Sequence, residues 1–308
     1  MDNVAVIMST YNGEKYLREQ LDSILGQVNV SVTLYVRDDG SVDETKQILS
    51  EYAKHYDSVH VEFAQNVGVG NSFMNALYAT PDTFDYYAFA DQDDIWLENK
   101  LYEAIKLLQE SGKWLYASNQ ENVDKDGNSL GMRWQTDDKR VFLTPEGIIA
   151  TNVLCGCTMV MTCRFKNIVS NKEKRVSEEV LLVKNHDGWI AAVAAVYDKL
   201  IYDNRSFIKY RQHGENVVGS YKPNFMQRMK LRKKKLLNKK LRCIRSRQSY
   251  EICQKFPEEA AKYPLLQISA LTKSLKDKKN IIKHQAEFRA FTNESKSSFK
   301  FKVYFGLF

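Results

Sequence analysis

Residues 89–96, FADQDDIW, place Asp91, Asp93 and Asp94 within four positions, directly after the run Tyr86-Tyr87-Ala88. A run of that kind reads as a buried strand, so three carboxylates gather where a core strand meets its loop. Asp91 and Asp93 are one residue apart on an extended chain, and both can reach one point as the strand bends. Two hard oxygen donors held this way suit Mg²⁺ or Mn²⁺, which keeps other positions for water and a substrate phosphate. A single Asp would suffice to cap the helix expected from about Leu97. Three carboxylates this close repel one another unless a cation is present. Asp94 stays open between helix cap and supporting neighbour.

A second acidic stretch, RDDGSVDET (37–45), carries Ser41 and Glu44 in the S-x-x-E pattern of a capping box, with Asp43 suited to the first turn. Neither feature uses Asp38 or Asp39, and a strand-end carboxylate can accept a hydrogen bond from a nucleobase imide N–H. Asp187 precedes the apolar run WIAAVAAVY (189–197), where helix capping is its simplest use. No G-x-G-x-x-G follows the first strand and no Walker A loop occurs, which disfavours dinucleotide dehydrogenases and P-loop phosphotransferases. A D-x-D at a fourth strand, not a first, disfavours an aspartyl-phosphate phosphatase.

The elements that must position these groups alternate. Strands are expected at 4–9, 32–38, 59–64 and 85–91, and helices at 13–27, 43–56, 70–80 and 98–111. Such alternation implies a mostly parallel α/β sheet with right-handed crossovers, and ligands bind at the carboxyl ends of such strands. Those ends carry STYNG, RDDGS, AQNVGVGN and DQDD. The stretch 147–162, GIIATNVLCGCTMVMT, reads as core strand and turn, too short and polar to span a membrane.

VIMSTYNGEKYLREQLDSIL, RDDGSVDET, NVGVGNSFMNAL and FADQDDIW, in this order, resemble the nucleotide-binding half of a family 2 glycosyltransferase. GCTMVM (156–161), NHDGW (185–189) and YRQHGENVVG (210–219) are similar to the same family, in the branch that builds bacterial rhamnose-containing and other surface polysaccharides. The resemblance implies a GT-A fold, a mixed, mostly parallel sheet flanked by helices, over residues 1–220. Residues 1–112 would then form the nucleotide-binding half and 113–220 the acceptor-binding half. It implies that Ser9, Tyr11 and Asp39 hold base and ribose, Tyr11 by stacking and Asp39 at a pyrimidine N3–H. Asp91 and Asp93 would bind the donor diphosphate through Mn²⁺ or Mg²⁺. Asp187 would be the general base of an inverting transfer. Arg211 would clamp phosphate and His213 would touch metal or phosphate, with a surface pair as the alternative. The implied reaction moves a sugar from a nucleoside-diphosphate donor, dTDP-rhamnose or a UDP-sugar, to a lipid-linked or growing glycan. A non-catalytic nucleotide-sugar-binding or scaffold subunit is the rival.

Charge separates the tail from this part. Residues 1–220 hold 22 Lys and Arg against 32 acids, whereas residues 221–308 hold 23 against 6. Within the tail, residues 228–247 have 11 basic residues and no acid, with Met226, Met229, Leu236, Leu237, Leu241 and Ile244 at roughly helical spacing. A basic helical extension over 221–308 is therefore expected to bind a membrane surface, with a contact between copies of the chain as the alternative. No nucleic-acid-binding motif accompanies the charge. Five cysteines without a disulfide or zinc framework, and no signal-peptide pattern at the start, fit a cytoplasmic protein peripheral to the cell membrane.

Overall fold

Val4, Ala5, Val6, Ile7 and Met8 are completely buried, five in succession. A strand apolar on both faces needs helices on both sides, which is the environment of a parallel sheet. In the computed structural model, which describes all residues except 135–142, 152, 183–184, 214–242 and 293, this run is the centre of β1 (Asp2–Thr10). It pairs in parallel with β2 (Val30–Asp38) on one side and β4 (Tyr86–Ala90) on the other, and β3 (Val59–Phe63) extends the sheet beyond β2. The helices α1 (Leu17–Leu25), α2 (Thr45–His55), α3 (Val69–Ala79) and α4 (Lys100–Ser111) alternate with these strands. Right-handed alternation thus sends the carboxyl ends of β1, β2 and β4 to one edge.

The rest of the sheet is mixed. β5 (Ile95–Trp96), β6 (Leu115–Val123), β7 (Ser129–Met132), β8 (Val160–Thr162) and β9 (Leu200–Arg211) complete the order β3-β2-β1-β4-β8-β6-β9-β5, with β7 on β6. β8 lies antiparallel between β4 and β6, β9 is parallel to β6, and β5 is antiparallel to β9. Two expectations shift. Residues 145–151 form a helix, α5 (Pro145–Thr151), where strand and turn were expected, because Pro145 presets the first helical turn. The helix expected from residue 13 begins at Leu17; before it, Tyr16 and Leu17 both donate to the Gly13 carbonyl in a tight turn.

The chain forms two compact units. The first, residues 1–138, 154–171 and 199–219, holds the whole sheet, α1–α4 and α6 (Cys163–Ser170). The second, residues 139–153, 172–198 and 220–308, holds α5, α7 (Glu178–Leu181) and α8 (His186–Val196). Its later helices are α9 (Ile244–Lys255), α10 (Pro257–Ala260), α11 (Pro264–Ala270), α12 (Leu275–Lys283), α13 (Gln285–Ala290) and α14 (Lys296–Tyr304). All eleven residues of α8 are buried, and a helix apolar on every side must be covered on every side. Hence it is joined to later helices: the Gln248 amide donates to the Gly188 carbonyl at 2.9 Å, the Tyr263 hydroxyl donates to the Ala195 carbonyl at 3.0 Å, and Trp189 packs near Phe256. Besides the residues from 220 onward, this unit takes in 139–153 and 172–198. Most of the basic stretch 228–247, with Met226, Met229, Leu236, Leu237 and Leu241, lies outside the described residues; Ile244–Arg247 is the first turn of α9.

Lys100, the first residue of α4, is 1% exposed, and its Nζ has no hydrogen-bond partner. It lies 3.5 Å from the centre of the Trp96 ring, a cation–π contact that offsets part of its desolvation. Burial still pushes its pKa down to about 7, against the pull of Cys157 and Asp94. Between that value and the ordinary lysine value the unfolded chain binds a proton that the folded chain does not, so this group adds stability as pH rises. Lys100→Met is therefore expected to be more stable than wild type near pH 7. Its advantage should shrink by up to about 1.4 kcal/mol per pH unit towards pH 9. Urea unfolding of both proteins across that range checks it; parallel pH profiles would show that Lys100 keeps its proton.

Candidate functional site

The loops after β1 and β2 are sewn to one another. The Asn12 amide N–H donates to Ser41 Oγ, the Val42 N–H donates to Asn12 Oδ1, and the Gly13 N–H donates to Thr45 Oγ1, all at 2.8–2.9 Å. Asp43 accepts from the Glu14 N–H while Glu14 accepts from the Glu44 N–H. These bonds replace the expected capping box. Ser41 donates its hydroxyl to Asp38, and α2 begins at Thr45 without a side-chain cap. Asp38 also accepts from the Gly40 and Ser41 N–H groups, folding its own loop, with Gly40 at φ +88°.

Asp39 is 2% exposed and its carboxylate is held by three groups: the Arg37 guanidinium, the Val67 N–H at 3.0 Å and the Gly68 N–H at 3.0 Å. Gly68 and Val67 stand at the start of α3, so Asp39 serves as a cap delivered from another loop. Arg37 continues to Ser72 Oγ at 3.0 Å, which accepts the Ser9 hydroxyl at 2.6 Å. One hydrogen-bonded chain thus links Ser9 to Asp39, two residues expected to act on the same ligand. Tyr11, the expected stacking platform, is 49% exposed.

Gln92, which the sequence reading passed over, couples this edge to the acidic loop. Its Oε1 accepts from the Tyr11 N–H at 2.8 Å and its Nε2 donates to the Tyr11 carbonyl at 3.2 Å. A Cβ at position 13 would overlap the Gln92 amide, so glycine there leaves room for this pairing. The glycine of STYNG and the amide inside DQDD were the available signal.

The three aspartates of DQDD part company. Asp93 pairs with His213 Nε2 at 2.7 Å. Asp94 is fully buried; its Oδ1 accepts from the Arg211 N–H at 3.1 Å, while Oδ2 is buried with no hydrogen bond. α4 begins six residues later, so Asp94 is not a helix cap. Among the described residues, donor atoms of Asp91, Asp94 and Cys157 converge within 4.8 Å of one another. Burial pushes the Asp93 carboxyl up and His213 pulls it back; burial and the neighbouring Asp93 and Asp91 push Asp94 well above the carboxylate range. Cys157 is raised by Cys155 and by burial, and Tyr210 by burial and Asp91. Burial is the largest cause at Asp93, Asp94 and Tyr210, and neighbouring carboxylates add to it at Asp94 and Tyr210, a charge that a bound cation would offset. The carboxylates of Asp91 and Asp94 are oxygen donors of the kind Mn²⁺ or Mg²⁺ takes, whereas Asp93 is already paired with His213.

Arg211 departs from expectation. It is 3% exposed, its Nε donates to the Asp93 carbonyl, its other nitrogens donate to the Lys125 carbonyl and to Glu19, and it lies 4.5 Å from the Tyr16 ring centre. Tyr16 also stacks near the His213 ring at 5.1 Å. Clamping a phosphate would require Arg211 to release one of these partners; in this arrangement it fixes the acidic loop. Asp187 belongs to the second unit. It is the second residue of α8, 7% exposed, and accepts from the Gly188 N–H, while the cap position is Asn185. Its neighbour His186 is held neutral by burial, with its pKa pushed down to about 3.

Residues 5–168 match the model of the family described as "Glycosyl transferase family 2". The chain is 30% identical to the dTDP-rhamnosyl transferase RfbG of Shigella flexneri over 69% of its own length and 74% of that protein's. It is 28% identical to the putative teichuronic acid biosynthesis glycosyltransferase TuaG of Bacillus subtilis over 52% of its own length and 62% of the relative's. Among solved structures it is similar to S. aureus TarS in complex with UDP-GlcNAc (TM-score 0.54, 18% identity, 94% of this chain and 82% of that one). The mannosyltransferase PcManGT of Pyrobaculum calidifontis, in complex with GDP-Man and Mn²⁺, is similar with a TM-score of 0.50 and 15% identity, over 98% and 84% of the two chains. These likenesses show the GT-A arrangement of a mostly parallel sheet flanked by helices that the motifs implied. Sequence match and fold agree, and the chain belongs to glycosyl transferase family 2 as a glycosyltransferase.

Proposed function

We propose that the protein transfers a sugar, with inversion, from a nucleoside-diphosphate donor to a lipid-linked or growing surface polysaccharide, at the cytoplasmic face of a membrane. dTDP-rhamnose or a UDP-sugar is the donor. The observation that carries this reading is the convergence of Ser9, Tyr11 and Asp39 with DQDD through the Gln92–Tyr11 pairing. The rhamnosyl transferase relative supports the donor class.

Tyr11, half exposed beside fixed neighbours, offers its ring face to the base. Asp39, whose orientation is set by Arg37, Val67 and Gly68, would accept the imide N–H at a carboxylate oxygen. Asp91, Asp93 and His213 would hold a divalent cation, which when bound neutralises charge developing on the leaving diphosphate. Arg211 holds Asp93 and Asp94 in place through its side chain and backbone. Asp187 takes the proton of the acceptor hydroxyl while that oxygen attacks the anomeric carbon opposite the departing diphosphate. One C–O bond forms as the other breaks, which inverts the configuration. No helix among the described residues is long and apolar enough to cross a membrane, so attachment in this reading is peripheral.

Incubation with a panel of nucleotide sugars and Mn²⁺ should release nucleoside diphosphate slowly with one donor; no release from any donor would count against catalysis by this chain alone. Asp93→Ala should abolish release and transfer without changing the melting temperature, and excess chelator should do the same; full turnover in either case removes the metal role. Asp187→Asn should bind donor normally yet lose transfer by about 10²–10⁴-fold, the usual contribution of a placed base. Wild-type transfer rates in that variant would refute the assignment.

A further inference from the structure

The helix α14 is apolar on two opposite sides. Phe299 and Val303 are buried with Ile281, Phe288 and Phe308 in a small aromatic core. Away from that core, Phe301, Tyr304 and Phe305 are 40%, 46% and 56% exposed, and the rings of Phe301 and Phe305 stack with centres 4.4 Å apart. At helical spacing these three residues span roughly 100° of arc centred opposite the buried stripe. Lys300 and Lys302 fall on its two flanks. Leu275, 70% exposed, starts α12 one turn before Lys278, whose Nζ donates to the Tyr304 carbonyl at 3.0 Å.

The charge around this ridge has one sign. Residues 271–308 carry nine Lys and Arg against three acids. All three of those acids are already engaged, Asp277 in the capping box of α12, Glu287 with His284 and Glu294 with Arg245 and Lys302. The basic run 228–242 rejoins the described chain at Cys243, whose N–H donates to the Gly306 carbonyl next to Phe305. Exposed aromatic side chains bordered by lysines are the composition of a surface that lies in a bilayer interface, the rings among the headgroups and the ammonium groups at lipid phosphates. A second copy of the chain is a poorer occupant, because a two-fold contact would bring one lysine-bordered patch against another.

We propose that Phe301, Tyr304, Phe305 and Leu275 form a ridge that inserts into the headgroup region of an anionic bilayer, adding an apolar anchor to the electrostatic pull of the basic segment. The proposal rests on the peripheral membrane position argued above. The full-length protein should sediment with phosphatidylcholine vesicles that carry phosphatidylglycerol and not with phosphatidylcholine alone. F301S/F305S should weaken that binding at least about tenfold, since two aromatic side chains leave the interface, with unchanged circular dichroism and melting. F305W should gain fluorescence quenching by brominated lipids beyond that of the native tryptophans. Unchanged binding of F301S/F305S, combined with loss of binding when Lys233, Lys234, Lys235, Lys239 and Lys240 are changed to Gln, would overturn the ridge and leave the peripheral reading standing. Absence of vesicle binding by the wild type would overturn both. A wild-type dimer that F301S/F305S converts to monomer in sedimentation velocity would overturn the ridge in favour of a contact between copies.

Discussion

Repulsion among the carboxylates that close β4 is the constraint on which the site depends. Two unit charges 4 Å apart interact by about 1 kcal/mol in water and several times more near a protein interior. Asp91, Asp93 and Asp94 cannot all be ionised there without help. The register of β5 on β9 supplies it: Ile95 sits opposite Lys209 and Trp96 opposite Ile208. Continuing that antiparallel pairing backwards brings Arg211 beside Asp93 and Asp94, and His213 beyond it. A strand of only two residues, β5, therefore decides which hydrogen-bonding groups reach the acidic loop.

The parts of the architecture legible in the sequence are the local ones. Four apolar runs separated by amphipathic helices announce β1–β4 and the edge at which their carboxyl ends meet, because the period of a buried strand is written in consecutive residues. β5 has no period to read, and its existence follows from pairing with a strand more than a hundred residues later. The S-x-x-E of Ser41 and Glu44 is a valid helix signal, but Asp38 competes for the Ser41 hydroxyl and wins by folding the loop itself. The sequence leaves Arg211 open between a phosphate clamp and a surface pair, and its side-chain partners Asp93 and Glu19 come only with the placement of β9. The apolar run 189–197 shows a buried helix, whereas the helices that cover it, α5 and α9, lie on either side of it in sequence.

What distinguishes the sheet edge is that the groups proposed to bind the donor are already held by hydrogen bonds within the protein. Asp39 is fixed by two backbone N–H groups and a buried guanidinium, Ser9 by Ser72, and the Tyr11 backbone by both ends of the Gln92 amide. Ordering a flexible side chain on binding costs about 0.5–1.5 kcal/mol, and here that ordering has taken place during folding. Gln92 matters in this respect more than its lack of charge suggests. It is the one residue of DQDD that touches the β1 loop through its side chain amide, so a shift of the acidic loop moves the Tyr11 backbone with it. In the proposed function, recognition of a base and neutralisation of a diphosphate would thereby be properties of one hydrogen-bonded edge rather than of two independent loops.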